Sequence, residues 1–357
     1  MKATELLLLG IGQAGINIVD EMVKQNRRLR GICINSSSDD MKPLEHVAEK
    51  LVLPSTGGAG RDRDLAKQYL KNEVYLIIET IEKYDNFKHV YIAFGLGGGT
   101  GSGITPMLLN LLNKKYPGKQ FNLIGALPSD SEGRKAHENT IACWNELMKL
   151  KDINIGAFYL LDNNKKPSKK GINKEFATLF NKMLNITKAH IDGVIDEIDQ
   201  TKLATEPGLQ AIYDMNPYLD MPEVELPKYM ESSIFVTGST HVERLGLSMP
   251  QGFNKEPIIN LISACKDTFE GFSDDEPLMV VSGIKMTNRA LEHTNDVYNY
   301  KNEILALNRA EAEEEEDIEL LVPVSTVKKA APVVQESKSI DELIDGGDDF
   351  WDTIMNM

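Results

Sequence analysis

Residues 94–103, FGLGGGTGSG, hold six glycines together with Thr100 and Ser102, directly after the strand-like HVYIA. Glycines clustered behind a strand let the backbone approach a ligand with its N–H groups pointing inward, a concavity that suits an anion and first of all a phosphate. A second glycine turn, GIGQAG at residues 10–15, follows the apolar ELLLL and matches the dinucleotide fingerprint G-x-G-x-x-G. That fingerprint requires an acidic residue at the end of the second strand to hold a ribose. Here the strand GICIN ends in Asn35-Ser36-Ser37-Ser38, and Asp39 and Asp40 come only later. An NAD-binding oxidoreductase on a Rossmann sheet is thus the alternative from another class, with the glycine turn alone in its favour. No lysine stands between Gly95 and Gly103, which argues against a P-loop, and the serine of GTGSG lacks the G-x-S-x-G frame of a serine hydrolase. The residues fit best a lysine-free cradle of backbone N–H groups backed by a helix amino terminus. GSGITPMLLNLLNKKY supplies that helix, with Pro106 expected in its first turn, where a missing N–H costs little.

Such turns need a scaffold. TELLLLG, GICIN, HVYIAFG, FNLIGAL and NIGAFYLL read as strands separated by helical patterns, which predicts an α/β fold with a parallel sheet covered on both faces. Ligands of such sheets bind beyond the carboxyl ends of the strands, where these glycine turns fall. Phe176, Phe180, Met183, Leu184, Thr187, Ile191 and Val194 set a single helix from Asn173 to Val194. EPGLQAIYDMNPYLDMPEVELP reads as a connection, and SSIFVTGS and PLMVVSGI as strands around a helical PIINLISACKDTF. Ala290, Val297 and Ile304, and likewise Leu291, Tyr298 and Leu305, repeat every seven residues, so a helix over 288–316 must lay two apolar rows on a partner surface. It runs into EAEEEED and a linker-like stretch, and IDELIDGGDDFWDTIMNM reads as a short docking segment. The expected organisation is a nucleotide domain over 1–170, a central helix and loop over 171–207, a smaller α/β domain over 208–286, a C-terminal helix over 287–317 and a flexible acidic tail over 318–357.

The 357 residues can bury two cores, and the net charge of −15 disfavours direct capture of nucleic acid or of an anionic membrane. Cys33, Cys143 and Cys265 are too few and too scattered for a disulfide framework or a metal knuckle, and no stretch is apolar enough for a signal peptide or a span. A cytoplasmic protein is expected.

FGLGGGTGSG closely resembles the G-G-G-T-G-[ST]-G signature of the tubulin/FtsZ superfamily of GTPases. GIGQAG resembles that family's first nucleotide loop in its tubulin form, TGGAGRDR (56–63) resembles its γ-phosphate-sensing loop, and LPSDSEGRKAHENT (127–140) is similar to the segment that brings an acidic residue to the ribose. The ordered set looks most like the TubZ branch, whose members segregate plasmid or phage DNA in the bacterial cytosol. The resemblance implies GTP or GDP with Mg²⁺ as ligands. Gly12, Gln13, Ala14 and Asn17 would face phosphate, metal or sugar, with Gln13 at the metal, and Asn35 would end the second strand. Gly97, Gly98, Gly99, Thr100, Gly101 and Ser102 would wrap the phosphates. Gly58, Ala59, Gly60 and Arg61 would sense the last one, and Glu132 would take the ribose. Guanine calls for amide groups: Asn163 fits at a strand end and Asn173 early in the central helix, with Asn181 as the fallback.

The resemblance further implies head-to-tail filaments in which GTP is hydrolysed only when the next subunit supplies acidic side chains. HIDGVIDEIDQTKLATEPG stands at that catalytic loop. Asp196 and Asp199, three apart on one helical turn, are the expected catalytic pair, close to the family's N-x-D-x-x-D spacing although Val194 replaces the asparagine. A DNA-binding adaptor of the TubR kind would dock on the tail. An FtsZ-like division protein and a phage-centring spindle are the rivals within the family.

Overall fold

The computed structural model describes residues 1–314 except 55, 56, 85, 151, 152, 154, 189–194, 222, 240, 263 and 264. The acidic stretch beyond Glu314, the linker, the docking segment and Val194 lie outside the described residues.

Six helices and six strands alternate through the first half: β1 (Leu6–Ile11), α1 (Gly12–Gln25), β2 (Arg30–Asn35), α2 (Ser38–Met41), β3 (Glu49–Val52), α3 (Arg63–Glu82), β4 (His89–Gly95), α4 (Thr100–Lys115), β5 (Gln120–Leu127), α5 (Arg134–Lys149), β6 (Ile155–Asp162) and α6 (Lys169–Leu184). Then come α7 (Glu197–Thr205), β7 (Gly208–Asp214), α8 (Leu226–Glu231), β8 (Arg244–Met249), α9 (Glu256–Leu261), β9 (Asp267–Phe272), β10 (Leu278–Ile284) and α10 (Glu292–Glu314). All ten strands form one sheet in the order β3-β2-β1-β4-β5-β6-β7-β10-β8-β9. Every pair is parallel except those of β10 with β7 and β8. The strand order reverses between β1 and β4, which pair from Leu6↔His89 to Ile11↔Phe94, so both glycine turns emerge side by side at the switch point.

The sheet departs from the sequence reading in instructive places. GLQAIYD, read as part of a connection, is β7, buried at its five central positions. It pairs with β6 at Ala157↔Gly208 and Phe158↔Leu209 and carries the sheet into the second half of the chain. Pro and turn residues beyond Asp214 masked this short run. RLGLSM is likewise a strand, β8, whereas SSIFVTGS makes only the single bridge Leu161↔Phe235. The helix expected over 257–269 stops at Leu261, and Asp267–Phe272 pairs with β8 as β9. β3 escaped notice because its exposed edge has no apolar run.

α6 begins one turn earlier than expected, where the Ser168 hydroxyl caps the N–H of Gly171, and it ends at Leu184 rather than at 194. The physical reason for the stop lies in α7. Gln200 is buried and donates its amide N–H₂ to the carbonyls of Met183 (2.9 Å) and Leu184 (2.7 Å), which a longer helix would use itself. The apolar face of α6 packs Phe176 and Phe180 on Tyr159 and Tyr91, with ring centroids 5.2–5.9 Å apart. The Tyr91 hydroxyl donates to Ala204 O at 3.0 Å and fastens the far end of α7 to the sheet.

The last helix is preceded by a 3₁₀ turn at Asn288–Leu291, and the partner surface for its first half is α5. Trp144 Nε1 donates to Asn288 Oδ1 at 3.2 Å, Arg134 lies over the ring of Tyr298, and His293 pairs with Asp130 at 2.8 Å. Further along, Tyr300, Ile304, Leu305 and Leu307 are exposed.

Candidate functional site

A cleft of about 460 Å³ opens at the switch point. Its wall is built from the turn after β1, the end of β2, the loop 57–61, the glycine loop after β4, the segment after β5, and Lys169 and Asn173 of α6. Gly12, Gln13, Ala14, Asn17, Asn35, Gly58, Ala59, Gly60, Arg61, Gly97, Gly98, Gly99, Thr100, Gly101, Glu132, Asn163 and Asn173 all line it. Ser102 does not: it is buried, its hydroxyl donates to Gly98 O, and Arg63 Nε donates to that hydroxyl at 3.2 Å. Asn181 is elsewhere, accepting from Asn26 Nδ2 at 3.0 Å.

Both α1 and α4 start at this cleft without a side-chain cap on their first turn. Two uncapped amino termini present free N–H groups and two positive dipole ends to one space, the arrangement an anion requires. Pro106 is not in the first turn of α4 but well inside it, because the helix already begins at Thr100. Its missing N–H releases the carbonyl four residues back, Ser102 O, and Arg63 Nη2 fills the vacancy at 3.0 Å. The same guanidinium reaches Glu146 at 2.6 Å, and Lys67 joins Glu146 at 2.9 Å. Asn139 ties the loops together from α5, donating to Arg61 O (2.9 Å) and Gly98 O (3.1 Å). Arg61 is the described non-glycine residue with positive φ (+65°), a conformation its surroundings must hold in place.

The glycines divide by cause. Gly12 has φ +68°, and a Cβ there would lie 2.7 Å from Gly101 N, so the two turns touch backbone to backbone. A Cβ on Gly103 would meet Arg63 O at 2.5 Å. At Gly98 the nearest atom would be 3.8 Å away, which leaves that position open to the cleft. Gly103→Ala is therefore expected to lower stability by about 2 kcal/mol, read as an earlier urea midpoint. Gly98→Ala should keep the midpoint of the wild type and weaken guanine-nucleotide binding about tenfold, read by calorimetry.

Several residues here escaped the sequence reading. Asp40 accepts from Gln13 Nε2 (3.1 Å) and from Asn35 Nδ2 (2.9 Å), joining the turn after β1 to the end of β2. Ser36 and Thr100 share a hydroxyl bond of 2.7 Å between the end of β2 and the start of α4. A helix-start signal, Ser37 followed by Asp39 and Asp40, was available for Asp40. Glu132 accepts from Arg61 Nη2 at 2.9 Å and Lys169 Nζ at 2.8 Å. Burial by itself would raise the Glu132 carboxyl. The Lys169 ammonium, the Ser129 N–H and the Arg61 charge outweigh it and hold the group below the usual carboxylate range.

Asp196 and Asp199 do not line the cleft. They do not share a helical turn as equals either. Asp196 precedes α7 as its N-cap, accepting from the N–H groups of Ile198 (2.7 Å) and Asp199 (2.8 Å). Asp199, in the first turn, lies 3.5 Å from Lys202 Nζ. Ile198 between them is 65 % exposed.

The sequence is 35 % identical over 299 residues to the tubulin-like protein TubZ of Clostridium botulinum C phage, a match that spans 82 % of both chains. The chain belongs to the tubulin/FtsZ family. Residues 5–165 match the description "Tubulin/FtsZ family, GTPase domain". The crystal structure of Clostridium botulinum phage c-st TubZ superposes with a TM-score of 0.77 at 32 % identity, covering 84 % of this chain and 99 % of that one. A tubulin-like CetZ of Methanothrix thermoacetophila is 29 % identical over 176 residues, 44 % of this chain and 47 % of its own. The tubulin/FtsZ fold, with its mostly parallel sheet and long C-terminal helix, is thus the fold of this chain, and its activity is that of a TubZ-like GTPase. Guanine nucleotide is the ligand of a tubulin/FtsZ GTPase domain. Among the described residues, no helix is long and apolar enough to cross a membrane.

Proposed function

We propose that GTP occupies the 460 Å³ cleft and that this protein polymerises head to tail, each subunit completing the active site of its neighbour. The observation that carries the reading is a cleft supplied with phosphate donors yet short of a free catalytic carboxylate. Of its two carboxylates, Asp40 is engaged by Gln13 and Asn35, and Glu132 by Arg61 and Lys169. In this reading the N–H groups of Gly97–Gly101 and the α4 dipole take the β- and γ-phosphates. The Asn163 amide donates to Leu127 O at 2.7 Å, which leaves its oxygen for the guanine N1–H and N2–H₂, and Asn173 faces O6. Arg61 and Gly58–Gly60 lie where the last phosphate would be felt, and Glu132 takes the ribose.

The described residues hold no group of three or more acidic, His or Cys side chains able to bind a metal by themselves. That suits Mg²⁺, which is commonly held by substrate phosphates and one or two protein groups, here Gln13 with Asp40 beside it. When bound, the ion neutralises charge on the phosphate oxygens. The exposed Asp196 and the partly buried Asp199 of the next subunit orient and polarise the attacking water. A filament related to the TubZ of a phage, built from chains of net charge −15, carries plasmid or phage DNA through a TubR-like adaptor on its tail rather than by direct contact.

Sedimentation tests the reading. The protein is expected to pellet with GTP or a slowly hydrolysed analogue and to stay in solution with GDP. Adaptor-bound DNA should pellet with the full chain but not with a chain ending at residue 317. No GTP-dependent pelleting at high concentration would sink the proposal.

A further inference from the structure

Glu132 is held from three sides, and one of its holders has no assigned part. Oε1 accepts from Lys169 Nζ at 2.8 Å and, more weakly, from Ser129 N–H at 3.4 Å, while Oε2 accepts from Arg61 at 2.9 Å. The Glu132 side chain is only 18 % exposed, whereas Lys169 is 60 % exposed and reaches in from the rim. Lys169 is the first residue of α6, and Asn173 sits four residues on, so one helix face carries both into the cleft. The helix start is fixed by the Ser168 cap, which sets the direction from which the ammonium arrives. Arg61, in contrast, stands on a loop rather than a helix, with positive φ.

We propose that Lys169 is a positioning residue for sugar recognition: it fixes the Glu132 carboxylate so that a ribose hydroxyl of the nucleotide finds an oriented, ionised acceptor. The inference rests on the ribose role given to Glu132 above. A carboxylate offers about four lone-pair sites. Three are taken by Arg61, Lys169 and Ser129, which leaves one direction for a hydroxyl donor. Without Lys169 the remaining strong partner is Arg61, and the carboxylate can swing toward it and away from the sugar. Lys169 also couples the two halves of nucleotide recognition, since the helix turn that orients the ribose acceptor is the one that presents Asn173.

The test compares GTP with 2′,3′-dideoxy-GTP, measured by calorimetry on nucleotide-free full-length protein below its assembly concentration. Wild type should prefer the ribose form, and Lys169→Met should lose about fivefold in GTP affinity while dideoxy-GTP binding stays unchanged. Lys169→Arg, which keeps a charged donor, should restore most of the preference. Glu132→Gln should also lower the preference. If Glu132→Gln moves the preference but Lys169→Met does not, the positioning role is wrong and the ribose reading stands. If Lys169→Met weakens both nucleotides equally, Lys169 acts on the phosphates or on the fold, and the proposal is overturned. If Glu132→Gln leaves the preference untouched, the ribose reading falls and this inference falls with it.

Discussion

An Asp199→Ala protein is expected to assemble with GTP as wild type does, to hydrolyse it about a hundredfold more slowly, and to leave filaments that outlast those of wild type. The expectation follows from where the residue sits. Asp199 lies in the first turn of α7, outside its own cleft, and its ion pair with Lys202 at 3.5 Å is a weak i,i+3 contact whose loss costs the fold little. Asp196 needs a subtler change, because it caps α7 through two N–H groups. Asp196→Ala would remove cap and charge together, at about 1 kcal/mol of stability. Asp196→Asn keeps a good cap and removes only the charge. Phosphate release measured beside light scattering separates the outcomes. A large loss of turnover in Asp199→Ala but not in Asp196→Asn assigns the water to Asp199, and the reverse assigns it to Asp196. Unchanged turnover in both would remove α7 from the chemistry.

The second large effect is structural. Arg63→Ala should destabilise the nucleotide-free protein by about 3 kcal/mol, seen as an earlier urea midpoint with an unchanged slope. Arg63 is 11 % exposed and holds Glu146 at 2.6 Å. It also holds Ser102 O at 3.0 Å, a carbonyl that Pro106 cannot serve. Lys67 remains on Glu146, which keeps the loss below that of a wholly abandoned buried charge. Arg63→Lys should recover part of the stability, since an ammonium meets the carboxylate but cannot fork to Ser102 as well. Adding Pro106→Ala to Arg63→Ala should return about 1 kcal/mol, because residue 106 then donates its own N–H to Ser102 O. Without that partial rescue, the link between the proline and the arginine would be wrong.

Much of this was legible in the chain. Continuous apolar runs such as LLLLGI and HVYIAFG mark strands buried on both faces, and the glycine turns behind them point first to an anion such as phosphate. The absence of lysine from FGLGGGTGSG argued against a P-loop from the sequence alone. Strand β7 and the end of α6 were not legible, for one reason. Both depend on a distant partner: β6 beside Gly208, and Gln200 beneath Met183 and Leu184. Local pattern cannot report a hydrogen bond to a residue that is near only after folding.

The sequence by itself determined the parallel sheet, the glycine turns behind its strands and the kinship with tubulin-like GTPases, because these rest on local pattern and on residues close together in the chain. Only the tertiary structure decided what each glycine is for. Gly12 and Gly103 are bare so that backbones can touch, while Gly98 is bare toward the open cleft. It also decided that Glu132 is shared by Arg61 and Lys169, and that Asp196 is a cap as well as a charge. These outcomes turn on ångström-scale approaches between segments far apart in sequence, such as Glu132 and Lys169, which 37 positions separate.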